Sequence, residues 1–135
     1  MAYLKVQVWI HRDKQVLLLK TTPKRGGFWQ PVTGKVEPGE SVEEGALREA
    51  VEETGLDFKG QQPRALGFEF SFEGKWGAAH EHAFALVAPS KEIRLDPKEH
   101  VEFQWLTPKK AQSLLKFDSN REPLALLVKS WGSTK

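Results

Sequence analysis

Residues 41–55, SVEEGALREAVEETG, specify a helix together with both of its ends. Ser41 is an N-cap residue, and Glu44 stands three positions on, the spacing of a capping box. Gly55 supplies the left-handed residue that stops a helix. The pattern predicts a helix over 42–54. The flanking segments repeat with period two instead. LKVQVWI alternates apolar and polar residues, and QVLLLK follows after Asp13-Lys14, so the two read as a hairpin. RALGFEFSFEG and KWGAAHEHAFALVAP alternate around Glu73-Gly74, and VEFQWL makes a further strand. Thr107-Pro108 opens a helix expected to run to about Phe117. Ser119 or Asn120 opens a last one, with Leu124, Leu127, Val128 and Trp131 on one stripe. One helix set among strands on both sides predicts a mixed α/β (α+β) sandwich. Between them TTPKRGGFWQPVTGKVEPGES reads as one long functional loop.

The central helix carries a local conflict. On a wheel of about 100° per residue, Leu47, Ala50, Val51 and Thr54 gather on one side and Glu49, Glu52 and Glu53 on the other. Like charges at spacings of three and four repel by roughly 0.2–0.5 kcal/mol per pair. They also crowd the helix C-terminus, which carries partial negative charge. A solvated acidic face is the plain reading. A divalent cation resolves both penalties, because hard carboxylate oxygens on one face bind Mg²⁺ or Mn²⁺.

Gly34, Glu40, Arg48, Glu49, Glu52, Glu53, Gly55 and Leu56 match the pattern GX5EX7REUXEEXGU, in which U is a bulky aliphatic residue. Ala50, at the first U, is the one departure, and it touches packing rather than chemistry. In these residues the chain resembles the Nudix hydrolases. The resemblance implies an α/β/α sandwich with a mixed sheet and a central loop-helix-loop motif, as one domain over residues 1–135. It implies that Glu49, Glu52 and Glu53 ligate the metal and that Glu52 and Glu53 belong to the catalytic set. Arg48 would pair with Glu40 and hold the loop against the helix. Gly34 would offer its backbone carbonyl to the metal, and a glycine permits that close approach. The family hydrolyses nucleoside diphosphates linked to a further moiety, with the metal neutralising the diphosphate and acidifying water. In several subgroups an extra glutamate lies six residues before a Trp. Glu99 stands in that relation to Trp105 and is expected as a further metal ligand or general base. Glu102 is expected to face outward along its strand.

FWQPVTGKVEPGE, the segment from Glu99 to Leu106 and SNREPLALL are similar to the branch that includes dihydroneopterin triphosphate pyrophosphatases. Neighbouring branches act on purine nucleoside triphosphates and on the 5′-triphosphate of RNA. The first reading is therefore a pyrophosphohydrolase of a purine-like triphosphate or of an RNA 5′-triphosphate. The alternatives are a sugar-nucleotide or dinucleoside-polyphosphate hydrolase, and a catalytically silent nucleotide-binding module. The intact acids stand against the last. Lys20, Lys24 and Arg25 are candidates for holding a polyphosphate. Among Phe28, Trp29, Phe68, Phe70, Phe72 and Trp76, one or two could stack on a ring, a contact worth about 1–3 kcal/mol; Trp29 and Phe70 are the expected substrate contacts. In His80-Glu81-His82, neighbouring strand residues point to opposite faces, so only the two histidines could meet a common ligand. His82 is placed with the substrate contacts.

Composition sets limits on these readings. With 135 residues, 39% hydrophobic, five Trp and eight Phe, the chain can build one substantial core. It has no cysteine, which excludes disulfides and thiolate metal sites and fits a cytoplasmic protein. No apolar run approaches the roughly 20 residues of a membrane span. The start, MAYLKVQVWIHRDK, is charged at position 5 and shows no signal-peptide cleavage site. A net charge of +2 and a pI near 8.9 fit ordinary solubility and also a mild attraction to phosphate-rich ligands, and composition alone does not choose between them. The resemblance also allows a homodimer.

Overall fold

The computed structural model describes residues 3–132, so the single domain expected over 1–135 extends at both ends beyond the described residues. Its elements are β1 (Tyr3–Arg12), β2 (Gln15–Thr21), β3 (Trp29–Gln30), β4 (Val32–Lys35), α1 (Val42–Thr54), β5 (Arg64–Gly74), β6 (Gly77–Val87), β7 (His100–Leu106), α2 (Pro108–Leu114) and α3 (Asp118–Gly132). Asp13 and Lys14 both take left-handed φ angles, 53° and 62°. That two-residue turn matches the twist of the β1–β2 hairpin. The sheet is mixed. β1 runs parallel to β6, from Tyr3 beside Ala79 to His11 beside Val87. The other pairings, β1–β2, β1–β4, β2–β3, β2–β7 and β5–β6, are antiparallel.

β1 holds two partners on one edge. Its first half pairs with β4, and its last residues pair with β2. The sheet therefore splays, and the segment expected to be one long loop enters the gap. Residues 23–25 form a single 3₁₀ turn, and two short strands, β3 and β4, take up much of the rest.

The two faces of the sheet are covered by different helices, giving three layers. Val6, Val8, Ile10, Leu17 and Leu19 join Ala46 and Ala50 of α1 in one core cluster. Trp9, Val16, Leu18, Ala83 and Ala85 join Ala111, Leu124 and Leu127 of α2 and α3 in the other. The strand alternation explains this directly, since odd and even positions of β1 feed opposite cores.

Two boundaries differ from expectation, the end of α2 and the start of α3, which begins at Asp118 rather than after a cap at Ser119 or Asn120. α2 stops at Leu114 instead of near Phe117, because Leu115 turns extended, is buried and bridges to Trp29. α3 accommodates Pro123 in its second turn. The ring removes the N–H that would have bonded the Ser119 carbonyl. Gln7 Nε2 donates to that carbonyl instead, at 2.9 Å. Among the described residues no helix is long and apolar enough to cross a membrane.

Candidate active site

α1 begins and ends as its sequence dictates. Ser41 Oγ accepts from the Glu44 N–H at 3.0 Å, and the Ser41 N–H donates to Glu44 Oε1 at 2.8 Å. Gly55 closes the helix at φ 72°. The wheel, however, is turned relative to expectation. Val51, assigned to the apolar side, is 43% exposed, whereas Glu53 is only 4% exposed. Ala46, Ala50, Glu53 and Thr54 form the buried stripe, because β4 and the segment before β7 close over the Glu53 side of the helix. The acids are thus graded in depth, with the Glu52 side chain half exposed and that of Glu49 mostly covered.

Arg48 organises the loop. Its Nε donates to Glu40 Oε2 at 2.7 Å and its Nη2 to Glu40 Oε1 at 3.1 Å, a bidentate pair. Nη2 also donates to the Lys35 carbonyl at 2.8 Å, and Nη1 reaches Glu49 and Glu52 at 3.1 and 3.2 Å. The expected Arg48–Glu40 clasp is therefore present, and the hydrogen bonds from Arg48 hold the Glu40 carboxyl below its usual range. Gly34 lies directly under Glu49: a Cβ at that position would overlap the Glu49 carboxylate. The glycine leaves open the space that the Glu49 carboxylate occupies in this arrangement.

Glu53 is the least comfortable group in the molecule. Burial, then a hydrogen bond with Glu49 and the charges of Glu49 and Glu99, push its carboxyl up to about 10. Burial raises Glu49 as well. Glu53 Oε1 has no hydrogen-bond partner, and neither has His100 Nδ1, which lies 3.8 Å away. His100 is 2% exposed. Burial, reinforced by the Arg25 charge, lowers its imidazole to about 4. A buried carboxylate oxygen without a partner, beside a second carboxylate that shares a proton with it, is a hard-oxygen pocket short of positive charge. These residues fit a divalent cation.

These groups line a cleft of about 440 Å³. Glu49, Glu52, Glu53 and Gly34 form one wall, with Glu99 and His100 opposite. Glu99 is aimed by a tight turn in which the Asp96 carbonyl accepts from the Glu99 and His100 N–H groups, both at 3.0 Å. Arg25 Nη2 donates to Glu99 Oε2 at 3.0 Å. Glu102 is exposed and lies outside the cleft lining.

The basic and aromatic candidates divide. Arg25 enters the cleft, but Lys20 and Lys24 do not line it. Lys20 points across the sheet, with Nζ 5.9 Å from the Trp29 ring centre, and Lys24 is exposed on the 3₁₀ turn. Trp29 is drawn into the core beside α2 rather than into the cleft. Lys5, Lys35 and Lys75 line the cleft instead. Sequence reasoning missed them. Lys35 follows Gly34 directly, and Lys5 shares the strand phase of Gln7 and Trp9, so both left a usable signal.

A second recess of about 370 Å³ continues from the first and shares Lys5, Phe28, Gln30, Thr33 and Phe72 with it. Phe70 belongs here, stacked 5.2 Å from Phe72, and Phe117 meets Phe28 edge to face at 5.5 Å. At its floor a buried polar chain runs from Trp9 Nε1, which donates to Gln7 Oε1 at 2.8 Å, through Gln7 Nε2 to Glu81 Oε2 at 2.8 Å. Asn120 Nδ2 also donates to Gln7 Oε1, at 3.4 Å. Burial pushes the Glu81 carboxyl up, against the opposing effects of Lys5 and Gln7. His82 lies on the other sheet face, beside Val6 and Glu69, and reaches neither recess. Strand alternation sends Glu81 inward and both His80 and His82 away from it.

The model of the NUDIX domain matches residues 3–127 of the chain. An octanoyltransferase of Myxococcus xanthus is 38% identical over 116 residues, which cover 82% of this chain and 31% of that protein. The dihydroneopterin triphosphate diphosphatase of Escherichia coli K12 is 28% identical over 134 residues, 91% of this chain and 89% of that one. The solved structure of the Escherichia coli dihydroneopterin triphosphate pyrophosphohydrolase superposes with a TM-score of 0.82 at 28% identity, over 96% of this chain and 99% of that one. The chain thus spans under a third of the first of these relatives and nearly all of the second.

Proposed function

The chain belongs to the NUDIX family, and from that premise we propose that it is a metal-dependent pyrophosphohydrolase of a triphosphate carried on a purine-like ring. The observation that carries this reading is the continuity of the two recesses. A cleft with acids on two walls and Arg25, Lys5 and Lys35 between them opens into an aromatic recess floored by Glu81 and Asn120. A polyphosphate fits the first and a flat, hydrogen-bonding ring the second. Both a purine and a pterin ring have that character, and the named activity of the Escherichia coli relative supports the pterin.

Glu49, Glu52 and Glu53, with the Gly34 carbonyl and Glu99, are the groups that would hold Mg²⁺ or Mn²⁺. When bound, such an ion neutralises phosphate charge and acidifies water at the site. Arg48 keeps Glu49 and Glu52 in place through its clasp on Glu40. Glu99 would either join these ligands or take the proton of the attacking water. Arg25, Lys5 and Lys35 bind the phosphates and stabilise the departing pyrophosphate. Phe70 and Phe72 wall the ring, and Asn120 and Glu81 offer acceptors to its edge.

Turnover of GTP, dihydroneopterin triphosphate and a 5′-triphosphorylated RNA with Mg²⁺ tests the reading. The expected first product is pyrophosphate, with a monophosphate left on the ring-bearing part. Inorganic triphosphate, which lacks a ring, is expected to be a poorer substrate by at least about fivefold in kcat/KM, the lower end of what one stacked ring contributes. Orthophosphate as the first product, or best turnover on sugar nucleotides, would overturn it.

A further inference from the structure

The face of the β5–β6 hairpin that carries neither Phe70 nor Glu81 bears a second cluster of ligating side chains. We propose that Glu69, His80 and His82 form a binding site for a borderline transition-metal ion, Zn²⁺ or Ni²⁺ by type, separate from the carboxylates of the cleft. One donor atom from each of the three lies within 4.8 Å of the others. His80 Nε2 is 2.6 Å from Glu69 Oε1, and His82 Nδ1 is 3.6 Å from Glu69 Oε2. Ligands on a tetrahedral ion with bonds of about 2.0–2.1 Å sit about 3.3 Å apart, so donors within 4.8 Å of one another reach it by side-chain rotation alone.

The backbone prepares this arrangement. His80 and His82 are two apart on β6 and so share a face. Glu69 reaches His82 because the register of β5 shifts between Ala65 and Glu69, where Gly67 takes a φ of 78°. The shift sets Glu69 opposite His82 and Ser71 opposite His80. Ser71 Oγ lies 2.8 Å from His80 Nδ1. Without an ion, the neutral His80 ring donates its Nε2 proton to Glu69 and accepts at Nδ1 from Ser71. When an ion takes Nε2, the proton resides on Nδ1 and is donated to Ser71 Oγ, since a hydroxyl can serve either way. A ring nitrogen fixed from behind by a neighbour is the usual support of a metal-binding histidine.

Ligand type separates the two sites. Two imidazoles and one carboxylate favour Zn²⁺, Ni²⁺ or Co²⁺, whereas the all-oxygen cleft favours Mg²⁺. None of the three residues lines the cleft or its neighbouring recess. The side chains of His80 and His82 are 31% and 26% exposed and that of Glu69 55%, so an ion has access and a water can complete its shell. An ion here would pin β5 to β6 just behind Phe70 and Phe72.

The test is Zn²⁺ binding by calorimetry on untagged protein in excess Mg²⁺, which keeps the cleft supplied with its own type of ion. One Zn²⁺ per chain is expected. His80→Gln and His82→Gln should each weaken binding by at least about tenfold, and Ser71→Ala by about tenfold or less. The chain has only four histidines, so imidazole ¹⁵N resonances give a second readout on the unaltered protein. Those of His80 and His82 should shift with Zn²⁺ while those of His11 and His100 stay. Zn²⁺ binding that survives both histidine substitutions, a shift confined to His100, or no stoichiometric binding would each overturn the proposal and leave the trio a hydrogen-bonded cross-strand contact only.

Discussion

Among the described residues two polar clusters are buried, and they are built on opposite plans. On one sheet face Gln7, Trp9, Glu81 and Asn120 are all buried, and the hydrogen bonds of Gln7 tie them to one another and to the Ser119 carbonyl. On the other, Glu53 and His100 are as deeply buried, yet each leaves an atom without a partner. A buried polar group left unpaired costs about 1–3 kcal/mol. A closed network stiffens the floor of a recess. An open one holds a place for a charge that the chain does not itself supply. Under the proposed function, the difference separates the part of the site that would shape a ring pocket from the part that would take an ion.

The largest effect that would break this comparison lies at Glu53. Glu53→Gln is expected to lower turnover in Mg²⁺ by roughly a hundredfold or more, the scale of losing one charge-stabilising group. Its melting temperature without metal should stay level or rise, because the cost of burying the Glu53 carboxyl, which burial pushes up to about 10, is removed. Full activity in that variant, measured by pyrophosphate release, would mean that the orphaned oxygen holds nothing.

Glu99 comes next. Glu99→Gln should lower kcat by tenfold or more with little change in KM, while Glu102→Gln, exposed and outside the cleft, should leave both near their original values. Reversal of that order in steady-state kinetics would move the acid across the cleft from the turn before β7 onto the strand itself.

The closed network predicts the reverse pattern, with stability affected before chemistry. Gln7→Ala strands the Trp9 N–H, the Ser119 carbonyl and the Glu81 carboxyl together. A loss of about 2–3 kcal/mol in urea unfolding is expected. A loss under 0.5 kcal/mol would show that the network is not the support it resembles.

The smallest effect sharpens the contrast through pH. The Glu53 carboxyl is raised from 4.5 to about 10 in the folded chain. A raised carboxyl contributes stability that is full below the unfolded value and is lost as pH climbs through the folded one. His100, lowered from 6.5 to about 4, works in the other direction, and its contribution is lost as pH falls from 6.5 towards 4. Above pH 7 only the Glu53 effect of this pair operates. In excess chelator the melting temperature should therefore fall between pH 7 and 9. The fall should be shallower in Glu53→Gln. A slope identical in both proteins would remove Glu53 as its source.

Much of this was legible from local pattern. The capping box, Gly55 and the Arg48–Glu40 clasp lie within a few turns of one another, and their spacing alone brings them together. The same holds for the β1–β2 hairpin, whereas Glu99 comes from the resemblance, through its place six residues before Trp105. What failed was local reasoning about faces. A helical wheel has no information about which neighbour closes over it, so Val51 was placed inward and Glu53 outward. Lys20, Lys24 and Trp29 were assigned to the cleft by nearness in sequence to the motif, but strand phase and the pull of the α2-side core carried Lys20 and Trp29 elsewhere.

The sequence by itself determined which groups are available for chemistry: a metal-type acid cluster on a self-contained helix, with the arginine that braces it. Those features rest on contacts between residues close in the chain, and short-range geometry is the same in any fold that contains the helix. Only the tertiary structure decided which of the groups are buried, paired or left open. Gln7 meets Ser119, Glu53 meets His100 and Glu69 meets His82 through the splayed sheet, the bulged strand and a proline that frees one carbonyl. Burial and long-range pairing depend on what crosses over a residue from distant parts of the chain, and no local pattern encodes that.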